Sequence, residues 1–95
     1  MRDYELVVIL SPELAEEELP AAVDRLSQVI ADRGGEVKDI NRWGRRKLAY
    51  PIKSHSEGNY LVTQVRLDPK RTSDLEKGLR ISEEVLRHLL VRVGD

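Results

Sequence analysis

The sequence contains no cysteine and no phenylalanine, has a single tryptophan, and nowhere strings more than five apolar residues together. Without cysteine there is no disulfide, no thiolate nucleophile and no thiolate metal ligand. The longest apolar run, Leu6 to Leu10, is too short for a signal peptide or a membrane span. The expected location is therefore the cytoplasm, with no membrane partner. Histidine is scarce as well: His55 stands in a polar stretch and His88 beside Arg87, with no spacing that suggests a metal. There is no nucleophile-elbow motif and no paired carboxylates in a plausible pocket. Gly34-Gly35 lacks the downstream residues of a phosphate loop and reads as a helix stop. Glu16, Glu17 and Glu18 read as first-turn acids of a helix, where the dipole favours them. No cofactor, metal or small-molecule substrate is expected, and the chain is not expected to be an enzyme.

What is present is charge. Ninety-five residues suit one domain, spanning 1–95, with a thin core between two layers. With few aromatics that core must rest on Leu, Val and Ile. The net charge of −1 conceals an uneven distribution. Residues 1–36 carry three Arg and nine acids, whereas residues 37–95 carry thirteen Lys or Arg and eight acids. From Arg42 to Lys53 there are five basic residues and no acid, a patch that a polyanion would feel.

Hydrophobic periodicity sets the element order. Tyr4 to Leu10 reads as a strand closed by Ser11-Pro12. Leu19, Ala22, Val23, Leu26, Val29 and Ile30 recur at helical spacing, with Pro20 in the first turn and Gly34-Gly35 at the stop. Glu36 to Tyr50 reads as a second strand, irregular at Trp43-Gly44 because a glycine inside a strand suggests a bulge. Pro51 is expected to end it, with Lys53 to Asn59 as the connection and Tyr60 to Leu67 as the third strand. Asp68-Pro69 starts a short helix through Leu75 and Leu79, and Val85 to Val93 is a fourth strand. The order β-α-β-β-α-β predicts an α+β fold: a four-stranded antiparallel sheet, first and third strands central, with two helices on one face.

The other face of the sheet is then open. Glu5 on the first strand and Gln64 and Arg66 on the third mark it, which brings Val7, Ile9, Tyr60 and Val62 together as an apolar group that suits a protein partner. In the basic segment, alternation points Trp43, Arg45 and Lys47 one way and Arg46, Leu48 and Tyr50 the other, with Leu48 expected in the core. Arginine forks suit phosphate, lysine adds point charge, and an exposed Trp or Tyr can stack on a base. The same run also suits a solvated edge strand that resists aggregation, and composition does not choose between the two. Arg2, Arg66, Arg87, His88 and Arg92 could extend the patch.

Three stretches carry a family resemblance: Met1-Arg2-Asp3-Tyr4-Glu5, the run WGRRKLAYPI from Trp43 to Ile52, and Gly58-Asn59-Tyr60. Together with Leu79-Arg80-Ile81, Val85 and Arg87, they resemble the bacterial small-subunit ribosomal protein six family over nearly the whole chain. The resemblance implies a ferredoxin-like fold and a place in the ribosome. It further implies binding to the central domain of small-subunit ribosomal RNA, jointly with ribosomal protein eighteen. Arg2, Arg42, Trp43, Arg45, Arg46, Lys47, Tyr50 and Lys53 are the candidates for RNA or partner contact, and Val7, Ile9, Tyr60 and Val62 for the protein-partner face. Two features depart from the family: many members carry a charged tail beyond the last strand, and many have more aromatics in the third strand than Val62 and Thr63 provide. The alternative reading is a general single-stranded RNA-binding module on the same fold, which would need stacking aromatics in the central strands. A small-molecule-binding regulatory domain is a third.

Overall fold

The apolar run Leu6 to Leu10 lies within the first strand, β1 (Arg2–Leu10), at the centre of the sheet. The computed structural model describes residues 1–94, so Asp95 lies outside the described residues. After β1 the chain makes a 3-10 turn over Glu16–Glu18 and enters α1 (Leu19–Asp32). The long strands β2 (Glu36–Ile52) and β3 (His55–Leu67) follow, then a 3-10 turn over Pro69–Arg71, α2 (Thr72–Arg80) and β4 (Val85–Arg92). The sheet order is β2-β3-β1-β4 and every pairing is antiparallel. This is the expected ferredoxin-like α+β arrangement, with β1 and β3 central.

Local chemistry accounts for the boundaries. Glu16, Glu17 and Glu18 are not the first turn of α1 but a separate 3-10 turn, closed by Glu18 accepting the Ala15 N–H at 2.7 Å. Pro20 sits in the first turn of α1, where its missing N–H has no partner to lose. The helix ends on Gly34, whose φ of +85° is open to glycine at little strain. Gly35 N–H donates to Ile30 O at 2.9 Å and Gly34 N–H to Ala31 O at 3.0 Å, the paired bonds of a Schellman stop. Asp68 caps the second 3-10 turn by accepting from Lys70 N–H at 3.0 Å.

The core lies between the sheet and the helices. Leu19, Ala22, Leu26 and Ile30 form the buried stripe of α1, and Leu75 and Leu79 that of α2. They meet Tyr4, Leu6, Val8 and Leu10 of β1 and Leu61, Val65 and Leu67 of β3. Gly78 has a packing reason: a Cβ there would stand 3.0 Å from Val29 Cγ1, so the glycine lets α2 approach α1. Beside it, Asp74 accepts hydrogen bonds from Arg33 at 2.8 Å and Arg71 at 3.0 Å. The Arg71 bond, then the Arg33 bond, holds the Asp74 carboxyl below its ordinary pKa of 3.8.

The region from Leu48 to Asn59 departs from expectation. Pro51 does not end β2, and Lys53 to Asn59 is not a loop. The connection is the two-residue turn Lys53-Ser54, with φ of 50° and 69°, and Ile52 pairs with His55 across it. Positive φ at both turn positions is what a tight hairpin requires, and here it is met without glycine. Because β2 is an edge strand, Pro51 needs no ladder partner for its absent N–H. The ladder is in fact interrupted there: between Lys47↔Glu57 and Ile52↔His55, residues 48–51 of β2 face only Ser56. Such a bulge bends the hairpin end, and this arm folds across the sheet face opposite the helices. Leu48 accordingly lies outside the helix-side core. Its Cδ2 would be 3.7 Å from a Cβ on Gly58, and Ile9 Cγ2 would be 2.3 Å away.

Two predictions follow from this packing. Gly58→Ala is expected to destabilise the fold by about 1–3 kcal/mol, because the β-branched Ile9 has no flexible end with which to yield; a lower urea midpoint at unchanged slope checks it. For Asp74, a lowered folded-state pKa means stability present above the ordinary value of 3.8 and lost as pH falls through the lowered one. Asp74→Asn should therefore flatten the acid limb of a stability profile measured below about pH 4.

Candidate nucleic-acid interface

A bulge sorts the basic segment into two sides. Arg42 pairs with Leu61 and Gly44 with Tyr60, so Trp43 is the extra residue in β2. Gly44 takes φ +84°, and a Cβ there would meet nothing within 4 Å, so the requirement is conformational and not one of space. Cross-strand partners share a side of the sheet. Arg42 opposite Leu61, Arg45 opposite Asn59 and Lys47 opposite Glu57 therefore lie on the helix side, and Arg46 opposite Gly58 on the other. Simple alternation would have separated Arg42 from Arg45; the extra residue puts them together.

The helix-side arginines are already engaged. Arg42 Nη2 is 3.4 Å from Glu16 Oε1. Arg45 donates to Pro12 O and lies 3.8 Å from Glu57 Oε1. The acidic start of the chain thus folds back on two of the five basic residues. Arg46, Lys47, Lys53 and Arg2 form no ion pair with any described acid. Arg46 lies over the Trp43 ring, its Cζ 5.1 Å from the centroid, and Trp43 is 53% exposed. Lys53 occupies the hairpin turn at the end of the arm. Arg2 begins β1 opposite Leu67 at the far end of the sheet, away from the hairpin turn.

Tyr50 has a different setting. It is 55% exposed, its ring centroid is 5.7 Å from Arg87 Cζ, and its hydroxyl accepts from Arg87 Nη1. This contact ties the arm to β4 across β1. Beneath it runs a groove of about 300 Å³, lined by Val7, Ile9, Leu48, Ile52, Tyr60 and Leu89. His55, expected in a loop, opens β3, with its Nε2 3.3 Å from Glu13 Oε1.

The apolar face is also rearranged. Val7 lies opposite Val62 and Ile9 opposite Tyr60, so the four residues do adjoin on the side away from the helices. Ile9 at 8% exposure and Val62 at 5% are nevertheless buried, while Val7 and Tyr60 are half-buried. The exposed apolar surface lies further along, at Leu89 and Val91 of β4, which pair with Val7 and Glu5 and so share their face. Extending the alternation to Arg87, Leu89 and Val91 would have placed those two residues from sequence.

Comparison with known proteins decides the family. A model of the family described as Ribosomal protein S6 matches residues 3–92. This chain belongs to the ribosomal protein S6 family. It is similar to the small ribosomal subunit protein bS6 of Caldanaerobacter subterraneus subsp. tengcongensis, with 43% identity over the full length of both chains. With the bS6 protein of Desulforudis audaxviator the identity is 41%, covering 97% of this chain and 98% of the relative. Among solved structures, the 30S ribosomal protein S6 of Thermotoga maritima matches with a TM-score of 0.85 and 36% identity, covering 96% of this chain and 86% of that one. The S6 fold and the WGRRKLAYPI segment are thus present together in one chain of a small-subunit ribosomal family.

The Tyr50–Arg87 contact is testable on the S6 arm. Tyr50→Phe removes the hydroxyl that Arg87 engages while keeping the ring. Amide exchange in residues 48–52 is expected to quicken, with a change in global stability below about 1 kcal/mol, as for an exposed polar contact.

Proposed function

We propose that this S6-family protein is a structural, non-catalytic component of the small ribosomal subunit that binds the central domain of small-subunit ribosomal RNA jointly with ribosomal protein eighteen. The observation that carries the RNA reading is that Arg46, Lys47 and Lys53 of the basic segment form no ion pair with any described acid, and that Arg46 lies over the exposed Trp43. Phosphate contact by such residues releases counterions and makes binding depend steeply on salt. Arg42 and Arg45 serve differently. The Arg42–Glu16 ion pair and the Arg45 bond to Pro12 O hold the start of the chain against β2, Glu57 pairs with Arg45 from β3, and RNA would have to displace these acids to reach the two arginines. The protein partner meets the opposite resource, the sheet face around Val7, Tyr60 and Leu89, where apolar surface and the groove beneath Tyr50 are exposed together. The protein acts in the cytoplasm, within the ribosome, as one domain over residues 1–95.

A general single-stranded RNA module is less well supported. Of the aromatic residues in the central strands, Tyr4 is buried against the helices and Tyr60 is half-covered by the arm. The central strands therefore offer no aromatic platform of the kind such modules use.

The test is filter binding of a central-domain RNA transcript across a salt series with ribosomal protein eighteen present. The doubly substituted Arg46→Ala, Lys47→Ala protein is expected to bind more weakly and to lose about two units of salt slope, one for each phosphate contact. Arg42→Ala should leave the slope nearly unchanged. If the unaltered protein binds this transcript no better than an unrelated hairpin, the proposal is wrong.

A further inference from the structure

The exposed Trp43 is the only tryptophan in the chain, and the bulge holds it in a fixed place. As the extra residue before Gly44 it stands out of the ladder alternation. Arg46, three positions on, covers one face of its ring at 5.1 Å. A guanidinium over an indole holds the ring in orientation, and its N–H edges remain free to donate in their own plane. We propose that Trp43 is a stacking platform for one unpaired RNA base, taken on the ring face opposite Arg46, with Arg46 holding an adjoining phosphate. The proposal rests on the RNA-binding reading above and adds the chemical class of the contact: a nucleobase outside a duplex.

Charge selects this occupant over an apolar pocket on a protein. The core of a protein–protein interface is depleted in charge. Trp43 instead stands between Arg42 and the run Arg45-Arg46-Lys47, in a stretch with no acid from residue 42 to 53. The nearby acids Glu16 and Glu57 are drawn to Arg42 and Arg45 on the helix side, and Arg46 forms no ion pair with any described acid. An indole with an unpaired arginine over one face matches a base beside a phosphate, and stacking tolerates any base because each has a π-face. Tyr50 does not share this role. Its hydroxyl is engaged by Arg87, and its ring roofs the groove on the far side of the arm.

Trp43 supplies its own readout. The complex with ribosomal protein eighteen is titrated with the central-domain transcript, and the emission difference between the unaltered and Trp43→Phe proteins isolates the Trp43 signal. Quenching of that signal on RNA addition is expected. Trp43→Leu should weaken RNA binding about 5- to 150-fold, the range for loss of one stacked base, with the salt slope unchanged. Trp43→Phe should recover much of the loss because it restores a ring, and matching thermal melts show that the variants are folded. The stacking proposal is overturned if Trp43→Leu binds RNA as tightly as the unaltered complex, or if the partner protein alone shifts the signal and RNA adds nothing. In both of those outcomes RNA binding persists and the broader function stands. If the unaltered complex fails to bind the transcript, the broader function falls and the stacking proposal with it.

Discussion

The left-handed conformation at Gly44 is the constraint on which the working surface depends. A regular strand would alternate every side chain from Arg42 to Lys47, placing Arg42 and Arg46 on one side of the sheet. Inserting Trp43 against a single residue of β3 shifts the phase by one. Arg42 then falls with Arg45, on the side where the acidic turn Glu16–Glu18 lies, and Arg46 falls on the other with Trp43. Any residue with a Cβ would be strained at φ +84°, although space is available, so the glycine is required by backbone and not by crowding. One bulge thereby puts Arg42, Arg45 and Lys47 on the helix side and Arg46 on the other, where it covers Trp43.

A second irregularity, lower on the same strand, shapes the rest of the sheet face away from the helices. Four residues of β2 oppose one of β3, and Pro51 sits within them. The hairpin end bends over the sheet as a result, and Tyr50 reaches Arg87 on β4. Much of the apolar face that a flat ferredoxin-like sheet would leave in water is thus covered by the chain's own arm. The remaining exposed strip, Leu89 and Val91, lies on the edge strand β4. The sheet face away from the helices is therefore shaped by departures from regular pairing in β2.

Locality explains what could be read in advance. Period signals are local, and the α1 stripe Leu19, Ala22, Leu26 and Ile30, the Gly34 stop and the alternation of β1 and β3 all followed from them. The bulge at Trp43-Gly44 was also visible, because glycine inside a strand has few other uses. Its consequence was not. Which residues share a side after a phase shift depends on the β3 register, a non-local fact. The turn at Lys53-Ser54 was hidden for a different reason: it carries neither glycine nor asparagine, so the polar run to Asn59 looked like a loop when it was strand. The burial of Ile9 could not be read from β1 at all, since what covers it comes from the arm, some forty residues later in the chain.

The charge distribution bears on how such a protein can be both selective and nearly neutral. A net charge of −1 gives little long-range attraction toward a polyanion, so a weak overall field must be offset by local placement. Glu16 and Glu57 hold Arg42 and Arg45 in place, which lowers the number of cations that any RNA can reach at once. With few phosphates to neutralise, non-specific binding is weak, because that mode of binding is almost entirely counterion release. Under the proposed function, selectivity comes from terms that a random duplex cannot supply: an unpaired base on Trp43 and the joint surface proposed with a second protein. In that proposal the acidic pole belongs to the recognition surface, because cations already paired with Glu16 and Glu57 contribute little to non-specific counterion release.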